Sequence, residues 1–494
     1  MKRKNYNVIY FFADEMRADA IGCYGNKAGA MITPNIDSIA SQGVRFEECY
    51  CTSPVCVPSR TSILTGLYPE DTGVYGNEAS LPPFQLEHEL ETIPSVLEKQ
   101  GYRTASFGKT HLPYGMEVFE VNDQEGSEMD LGLGVEQLQG LDKITANGPI
   151  RQNLGSRFPE NTFYKPEMAA KNSIEWLKNV GDEPFFLRVS FLQPHTPVVV
   201  PDQYASLYDH INFDTEIMPT DHLSCYEQHF AKLLALPTIP PEKRKQMKAY
   251  YYGLAAWVDS QVGLVLDYVR KAGLAENTVL IFGADHGASL GESGAYAKFL
   301  FNRASQRVPL IISVPGMRQG EVESEICSMI DFARTVFNIL DVPVPEQFRG
   351  RNLFEKAEEE IEVFGTIGYG STFSYPMQYD AVGTYKDGAP WPRRACIRTN
   401  RYRLDMNIRM GGKLVSEEEE DLFFVDRAKC PEESGNMAQE NIYAEEIHRL
   451  RENLLKHCSN GKECSEEVLE SINRLLVSKE FFKYLHLARD KKRG

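Results

Sequence analysis

The stretch Asn7-Val8-Ile9-Tyr10-Phe11-Phe12-Ala13-Asp14-Glu15 decides the fold. It begins as a nearly continuous run of apolar residues, which is typical of a strand covered on both faces of a sheet. A helix is predicted next at residues 34–42, with Pro34 near its start and Gly43 directly after its end. This strand–helix succession indicates that the chain opens with a βαβ pattern.

The same alternation continues through most of the chain. Further strands rich in β-branched and aromatic residues are predicted at 102–107, 184–191, 278–283 and 308–314. Further helices are predicted at 92–100, 167–178, 242–271 and 328–340. Together these elements predict an α/β fold in which a large, mainly parallel sheet is sandwiched by helices.

The pattern changes after about residue 370. Shorter strands are predicted at 394–399 and 402–406, and a polar helix at 444–457. The acidic run between them, residues 417–421, is interpreted as a solvated turn. We therefore predict a large domain at 1–370 and a smaller C-terminal α+β domain at 371–494.

Composition excludes some classes of partner. The chain has 494 residues and a formal net charge of -17, so its overall field repels nucleic acid and anionic membrane surfaces. A small anionic substrate remains compatible if the pocket is locally cationic. The first apolar run is too short for a secretory leader and no other run approaches a membrane span, so a cytoplasmic protein is predicted. The ten cysteines are scattered irregularly, which favours buried thiols over a disulfide framework.

Polar residues follow the carboxyl ends of three predicted strands. Asp14 and Glu15 follow the first strand, His195 follows the strand at 184–191, and Asp285 and His286 follow the strand at 278–283. Ligands of open α/β sheets bind along that edge, although each residue alone could equally be a cap or a loop residue. Oxygen ligands from Asp14 and Asp285, with Glu15 and His286 as further candidates, suit Ca2+, or alternatively Mg2+ or Mn2+.

A second candidate is the segment Ser53-Pro54-Val55-Cys56-Val57-Pro58-Ser59-Arg60, which is interpreted as a loop entering a helix. Cys56 would then lie at a helix N-terminus, a natural anion site, with Arg60 one turn further on. A plain buried thiol is the ordinary alternative. A thiolate metal site of Cys49, Cys51 and Cys56 is another, but the spacing is wrong for paired Cys-x-x-Cys knuckles.

This segment resembles the C-x-P-S-R core of the type I sulfatases, which belong to the alkaline phosphatase-like superfamily. Two further stretches are similar to family patterns: Gly101-Tyr102-Arg103-Thr104 with Gly108-Lys109-Thr110-His111, and Ala284-Asp285-His286-Gly287 with Lys298. The resemblance covers most of residues 1–355 in the right order. The Asp285-His286 pair is similar to the choline-sulfatase-like and phosphonate monoester hydrolase-like branches.

The resemblance implies a sulfuric ester hydrolase whose catalytic domain is the one at 1–370. It implies that Cys56 is oxidised to formylglycine by a partner, a formylglycine-generating or anaerobic sulfatase-maturating enzyme. It also implies roles for the other site residues. The metal would be bound by Asp14, Asp285, His286 and residue 56, with Glu15 as a further candidate, and the sulfuryl oxygens would be neutralised by Arg60, Lys109 and Lys298. His195 would act as the general acid, and His111 would contact the second hydroxyl of the hydrated aldehyde.

Two other functions compete with this hypothesis. A phosphonate or phosphate ester hydrolase could use the same site, because these anions share the tetrahedral geometry of sulfate. A catalytically inactive sugar-sulfate binding protein is disfavoured, since a binder needs no oxidisable cysteine beside a metal. The expected substrate is a small sulfated saccharide or an aryl or alkyl sulfate. Specificity is expected in loops 115–158 and 369–394, where Tyr375, Tyr379, Trp391 and Arg393 could face a sugar ring or pack the two domains together.

Overall fold

One large sheet, built around the first strand, organises this computed structural model of the chain. The structure describes residues 6–25, 31–127, 133, 155–159, 162–196, 198–214, 222–234, 239–373, 385 and 388–477.

The strands are named in chain order. They are β1 (Asn7–Asp14), β2 (Val44–Phe46), β3 (Cys49–Tyr50), β4 (Arg103–Gly108), β5 (Val121–Asp123), β6 (Ser156–Phe158), β7 (Phe185–Pro194), β8 (Val199–Pro201), β9 (Thr278–Ala284), β10 (Ser289–Leu290), β11 (Tyr296–Ala297), β12 (Leu310–Ser313), β13 (Glu321–Glu323), β14 (Cys327–Ser328), β15 (Val363–Ile367), β16 (Arg393–Arg398), β17 (Tyr402–Met410), β18 (Lys413–Leu414) and β19 (Phe423–Asp426).

The α-helices are named in the same way. They are α1 (Pro34–Ser41), α2 (Cys56–Thr65), α3 (Pro69–Thr72), α4 (Ile93–Glu98), α5 (Met168–Asn179), α6 (Asp202–Ala205), α7 (Cys225–Leu234), α8 (Pro241–Lys271), α9 (Arg303–Gln306), α10 (Asp331–Ile339), α11 (Ala444–Cys458) and α12 (Glu466–Val477).

The large sheet has the strand order β13-β2-β12-β9-β1-β7-β4-β5. The five strands from β9 to β5 are parallel, as the sequence predicts. The strand predicted at 308–314 differs, because β12 runs antiparallel to both β9 and β2. Every residue of β1 and β7 is buried, which is the reason for their unbroken apolar runs. The predicted mainly parallel α/β fold is therefore confirmed, with one mixed edge.

A second, antiparallel sheet follows, in the order β15-β16-β17-β18 with β19 on β17. Helix α11 packs against it with Leu450 and Leu454, both fully buried. Strand β15 precedes residue 371 in the chain, and the domain division at 370 remains a prediction. Within the described ranges, no helix is both long and apolar enough to cross a membrane.

Of the four buried arginines in this second sheet, three are at most 1 % exposed, and we call these three and their acidic partners the arginine cluster. It comprises Arg394, Arg398 and Arg403 with Glu227, Asp405 and Glu433, all at most 1 % exposed. Glu433 accepts hydrogen bonds from Arg398 at 2.6 and 2.9 Å and from Arg403 at 3.2 Å. Asp405 lies 2.6 Å from Arg394 and 2.7 Å from Arg403. Each guanidinium in the cluster thus has a carboxylate partner.

Candidate active site

The candidate active site lies at the carboxyl edge of four adjacent strands, β9, β1, β7 and β4. Because these strands are parallel, the residues at their ends meet at one edge of the sheet. The predicted site residues follow directly: Asp285 and His286 after β9, Asp14 and Glu15 at the end of β1, His195 after β7, and Lys109 after β4.

Cys56 is the first residue of helix α2, as the sequence predicts, and it is 0 % exposed. Its Sγ lies 3.2 Å from Lys298 Nζ and 3.3 Å from His286 Nε2. Asp14 Oδ1 is 3.8 Å away and Lys109 Nζ 4.0 Å away. The structure thus brings residues from four separate stretches of the chain around this one sulfur atom.

The charges around Cys56 favour an anion at this point. Burial by itself raises the pKa of the thiol, but Lys109, Lys298 and His286 together hold it well below its usual value. The N-terminus of α2 adds its positive dipole end. A negatively charged atom at residue 56 is therefore stabilised by its surroundings.

Two contacts hold helix α2 in place, one at its C-terminal end and one in its first turn. The helix is capped after Thr65 by Gly66, whose φ of 63° is a left-handed conformation that glycine adopts readily. Ser59 Oγ donates a 2.6 Å hydrogen bond to the backbone oxygen of Asp285. The helix that carries Cys56 is thereby tied directly to the end of β9.

Arg60 occupies a different place from the one expected. Its Nη2 lies 2.7 Å from Asp14 Oδ2 and its Nε 2.8 Å from Asp285 Oδ2. Its Nη1 donates to the backbone oxygens of Lys109 and Thr110 at 2.8 and 3.2 Å. Because all three nitrogens are bound within the protein and the side chain is 0 % exposed, Arg60 positions the two carboxylates instead of facing a sulfuryl group.

Asp14 is surrounded by cations. Lys109 Nζ lies 2.5 Å from its Oδ2, and His195 Nε2 lies 4.0 Å from its Oδ1. Burial and Cys56 raise the pKa of Asp14, but Lys109, His195 and Arg60 outweigh them and lower it below its usual range. Asp14 is therefore an anion at neutral pH.

Asp14, Cys56, Asp285 and His286 form a group that could hold a metal ion, with one ligand atom of each within 4.8 Å of the others. His286 Nδ1 is hydrogen-bonded to the oxygen of Gly287 at 2.9 Å, so Nε2 can present its lone pair to a cation. Burial lowers the pKa of His286, but Asp285 raises it to about 9, so the imidazole binds a proton readily and a metal ion at Nε2 would have to replace that proton. Two carboxylates and one imidazole fit a divalent cation.

Glu15 lies on the other side of Asp14. Its carboxylate is 3.2 Å from Lys298 Nζ and 3.6 Å from His195 Nε2. With Asp14 and His195 it forms a second possible metal-binding group, which shares Asp14 with the first but does not include Asp285. Its φ of 64° is a left-handed conformation rare for a non-glycine residue, and Tyr251 Oη holds its backbone oxygen at 2.6 Å. The role of Glu15 as a metal ligand remains a prediction.

His111 lies beside Cys56 in a strained backbone conformation, with a φ of 44°. Its side chain lowers the pKa of Cys56 through a hydrogen bond. Its buried Nδ1 has no hydrogen-bond partner among the described residues, and burial lowers its pKa. The imidazole therefore faces Cys56 in its neutral form.

Cys49 and Cys51 do not share a site with Cys56. Cys49 Sγ lies 3.6 Å from Met329 Sδ, and it also interacts with Cys327. Burial raises the pKa of Cys49 and Cys51. Neither belongs to a group of described residues close enough together to hold a metal ion, so the structure does not support the alternative of a three-cysteine site.

Two positioning residues were missed by the sequence analysis. Asn77 Oδ1 accepts a 3.0 Å hydrogen bond from the backbone N–H of Val57, at the start of α2. Tyr251, in the middle of α8, bonds the backbone of Glu15 and Arg17. Neither contact is marked by a local pattern, because each joins segments far apart in sequence.

The residue after Cys56 is buried in a small apolar cluster. Val57 is 0 % exposed and belongs to one cluster with Val74, Ala79, Phe84 and Ile472, the last of which lies on the C-terminal helix α12. The bulky side chain at position 57 is thus accommodated in the core.

Two of the four residues suggested for the specificity loop, Trp391 and Arg393, are used for packing. Trp391 is 3 % exposed and lies edge-on to Tyr226, with ring centroids 5.4 Å apart. Arg393 pairs with Glu463 at 2.8 Å. Tyr375 and Tyr379 lie outside the described residues.

Comparisons with known proteins agree with this geometry. Residues 6–342 match the family model described as Sulfatase, and residues 291–460 match one described as N-sulphoglucosamine sulphohydrolase, C-terminal. The chain is similar to an arylsulfatase of Clostridium perfringens, with 26 % identity over 92 % of this chain and 95 % of that protein. It is also similar to an N-acetylglucosamine-6-O-sulfatase of Bacteroides thetaiotaomicron, with 27 % identity over 77 % of this chain and 76 % of that protein.

Solved structures show the same fold. One, determined in complex with D-glucosamine-2-N,6-O-disulfate, has a TM-score of 0.71 at 20 % identity and covers 92 % of this chain and 98 % of that one. A phosphonate monoester hydrolase from Silicibacter pomeroyi has a TM-score of 0.70 at 21 % identity, covering 93 % and 96 %. The chain therefore belongs to the sulfatase family of the alkaline phosphatase-like superfamily, and it is an enzyme that hydrolyses sulfate esters.

Proposed function

We propose that this chain cleaves sulfate monoesters with a formylglycine nucleophile made from Cys56 and with the help of a divalent cation. The observation that carries the proposal is the convergence of Lys298, Lys109, His286 and Asp14 on a fully buried cysteine at the start of α2. A thiol that only filled the core would not need cations aimed at it, since burial alone keeps it neutral.

Asp14, Asp285 and His286 would hold the cation together with an oxygen of residue 56. The donors are mainly hard oxygens, which favours Ca2+ and leaves Mn2+ or Mg2+ as alternatives. When bound, the cation supplies positive charge that promotes ionisation of the nucleophile and polarises a sulfuryl oxygen. Arg60 holds both carboxylates at fixed distances, so the ligand geometry is set before substrate enters.

Lys109 and Lys298 would bind the sulfuryl oxygens. Each ammonium lies within 4.0 Å of Cys56 Sγ and is less than a tenth exposed. Burial lowers the pKa of Lys298, but Cys56 and Glu15 raise it well above its usual range, so it stays charged. Fixed positive charges in a site that excludes water stabilise a sulfuryl group most as its charge shifts in the transition state.

Two histidines would move protons. His195, 14 % exposed at the side chain and held near Glu15 and Asp14, is placed to protonate the leaving alcohol. His111, neutral and beside residue 56, is placed to take a proton from that residue's second hydroxyl. Formylglycine at position 56 supplies the attacking oxygen as a hydrated aldehyde, and the return of the aldehyde releases sulfate without an attacking water.

The substrate we propose is a sulfated saccharide of small size. The support comes from relatives whose names specify saccharide sulfates, among them the N-acetylglucosamine-6-O-sulfatase and an iduronate 2-sulfatase of Homo sapiens, 29 % identical over 63 % of this chain and 60 % of that protein. The alcohol moiety would meet His195 first. A formylglycine-generating or anaerobic sulfatase-maturating enzyme is the partner that this chemistry requires.

Hydrolysis of phosphonate or phosphate esters is the second candidate. Its support is the structural likeness to the phosphonate monoester hydrolase. Sulfate monoesters carry one negative charge and phosphate monoesters two, so the lower charge needs fewer cations. Rates with matched nitrophenyl sulfate, phosphate and phenylphosphonate esters separate the two, and a higher kcat/KM for the phosphonate would overturn the sulfatase assignment.

The formylglycine proposal is tested at residue 56. Protein co-produced with a maturation enzyme should carry an aldehyde in the tryptic fragment ending at Arg60, and activity across preparations should rise in proportion to the modified fraction measured by mass spectrometry. Cys56→Ala should be folded and inactive. Cys56→Ser should accept sulfate once and then stall, because it lacks the second hydroxyl. Full turnover by protein containing only unmodified cysteine would refute the mechanism.

A further inference from the structure

A small cavity lies beside the candidate active site, between helix α8, the strand pair β10–β11 and the residues that follow β7. Its free volume of about 10 Å³ has room for one group of the size of a water molecule or a methyl. The wall includes Glu15, Thr196, Val198, Met247 and Leu290. Apart from Glu15, none of these residues has a role in the proposed reaction.

The cavity adjoins the groups that would act on the leaving alcohol. The carboxylate of Glu15 lies 3.2 Å from Lys298 Nζ and 3.6 Å from His195 Nε2. Lys298 Nζ in turn lies 3.2 Å from Cys56 Sγ. Of the described residues that line the cavity, all but Thr196 are buried, so the cavity opens on the side of Thr196, directly after His195. A substituent on the alcohol that His195 would protonate is therefore close to the opening.

Part of the wall is apolar. Val198, Met247 and Leu290 are buried, and none of them carries a side-chain group that makes a strong hydrogen bond. An apolar group that enters the cavity leaves water and contacts mainly carbon atoms, which is favourable.

The polar residues of the wall already have partners. Tyr251 Oη donates a 2.6 Å hydrogen bond to the backbone oxygen of Glu15 and accepts one from the backbone N–H of Arg17 at 3.0 Å. Ser289 Oγ accepts a 2.9 Å hydrogen bond from Asn302 Nδ2. A buried water molecule typically makes about three hydrogen bonds, so this wall favours an apolar occupant over water.

We propose that the cavity receives a methyl group carried by the alcohol part of the sulfate ester and thereby selects among substrates. This inference rests on the function proposed above, because it places the leaving alcohol on the side of His195. A longer alkyl group would exceed the volume of the cavity. A charged group would meet only the carboxylate of Glu15, which is already paired with Lys298.

Methyl-substituted aryl sulfates test the proposal with the whole enzyme. The 2-methyl and 3-methyl derivatives of 4-nitrophenyl sulfate are compared with the parent ester. One of the two should have a kcat/KM about four- to tenfold higher than the parent, since one methyl group is buried. An ethyl group at the same ring position should lose this gain. A methyl group changes the acidity of the phenol only slightly, so the ratio reports binding.

Two variants change the size of the cavity by one methylene each. Val198→Ile fills it and should bring the ratio close to one. Leu290→Val enlarges it and should make the ethyl ester the preferred one, which covers the case in which Val198→Ile does not fold. Val322→Ile makes the same change at a position that is 54 % exposed on β13, and this matched control should keep the ratio of the unaltered enzyme.

Turnover of the parent ester measures the proposed function, and the ratio measures the cavity. If the enzyme hydrolysed the parent ester but favoured neither methyl derivative by twofold, the inference would be overturned and the proposed function would stand. A preference that survived unchanged in both Val198→Ile and Leu290→Val would overturn it as well. An enzyme that carried modified residue 56 and hydrolysed none of the esters would contradict both.

Discussion

The active site and the arginine cluster are both dense groups of buried charges, yet they are built differently. In the arginine cluster, carboxylates and guanidiniums are bound to each other, with Glu433 shared by Arg398 and Arg403. In the active site, Lys298, Lys109 and His286 converge on one atom of Cys56. Buried charges that are paired with each other stabilise the fold, whereas positive charges around one common point stabilise an anion that is bound there.

The largest expected effect comes from removing a negative charge at the active site. Asp285→Asn keeps the shape of the side chain and an oxygen for the backbone N–H groups of Glu15 and His286. It weakens the proposed cation site, so kcat/KM should fall by about 10³-fold or more. Steady-state kinetics with a nitrophenyl sulfate and metal content by mass spectrometry measure the effect.

The matched control is Asp405→Asn in the arginine cluster, which should lower stability and spare kcat per folded molecule. If chelating agents and Asp285→Asn both left turnover intact, the assignment of this carboxylate to a cation would be wrong.

The second prediction concerns the arginine cluster, where we expect a loss of stability instead of a loss of turnover. Glu433→Gln leaves Arg398 and Arg403 without a shared buried charge, which should cost about 3–5 kcal/mol of unfolding free energy. Urea titration followed by fluorescence measures the loss, and kcat of the folded fraction should change less than twofold. A variant that kept its stability but lost turnover would show that the cluster contributes to catalysis.

Acidic pH should lower the stability of the unaltered protein as Glu433→Gln does, because it protonates Glu433. Although burial opposes it, Arg398 and Arg403 hold the pKa of Glu433 well below its unfolded value of 4.5. A carboxyl with a depressed folded pKa stabilises the fold above its unfolded pKa and loses that contribution as the pH falls towards the folded one. The unaltered protein should therefore lose stability below about pH 4.5, and Glu433→Gln should lose less over the same range.

Removing one converging cation has a smaller effect. Lys298→Ala deletes a charged contact to the proposed sulfuryl site and should lower kcat/KM by about 10²-fold, equivalent to about 3 kcal/mol of transition-state binding. Unfolding free energy should fall by less than in Glu433→Gln, because Glu15, the buried partner of Lys298, keeps a second neighbour in His195 at 3.6 Å. Lys429→Ala, a surface lysine over Tyr443, is the control and should be neutral in both measurements. If Lys298→Ala lowered kcat/KM by less than twofold, this lysine would have only a structural role.

The smallest predicted effect tests the positioning of α2. Asn77→Ala removes the acceptor for the Val57 N–H and should cost about 1 kcal/mol, seen as a roughly fivefold lower kcat. Asn77→Asp keeps an acceptor and adds a charge favourable to the helix N-terminus, so it should restore most of the rate. Equal losses in both variants would indicate that Asn77 acts through another contact.

The sequence predicted the position of the site because strand ends are visible in it. The apolar runs before Asp14 and Asp285 stop abruptly at the acidic residue, and parallel strands bring such ends together. The direction of β12 was not visible, since an apolar run is the same in either direction. The contacts of Arg60 could not be predicted either. Helical spacing places Arg60 one turn after Cys56, but it does not show that the Arg60 side chain points to Asp14 and Asp285.

The burial of Cys56 has a consequence for the order of events in the cell. Its side chain is 0 % exposed, and the next residue, Val57, belongs to a buried cluster that also contains Ile472 of α12, so a second protein cannot reach the sulfur in the finished fold. If residue 56 is modified, the modification must take place before folding is complete. Translation makes α12 long after the segment around Cys56, which leaves that segment accessible for a time. Mutations that speed or slow the burial of this segment would then change the yield of active enzyme without changing the activity of each finished molecule.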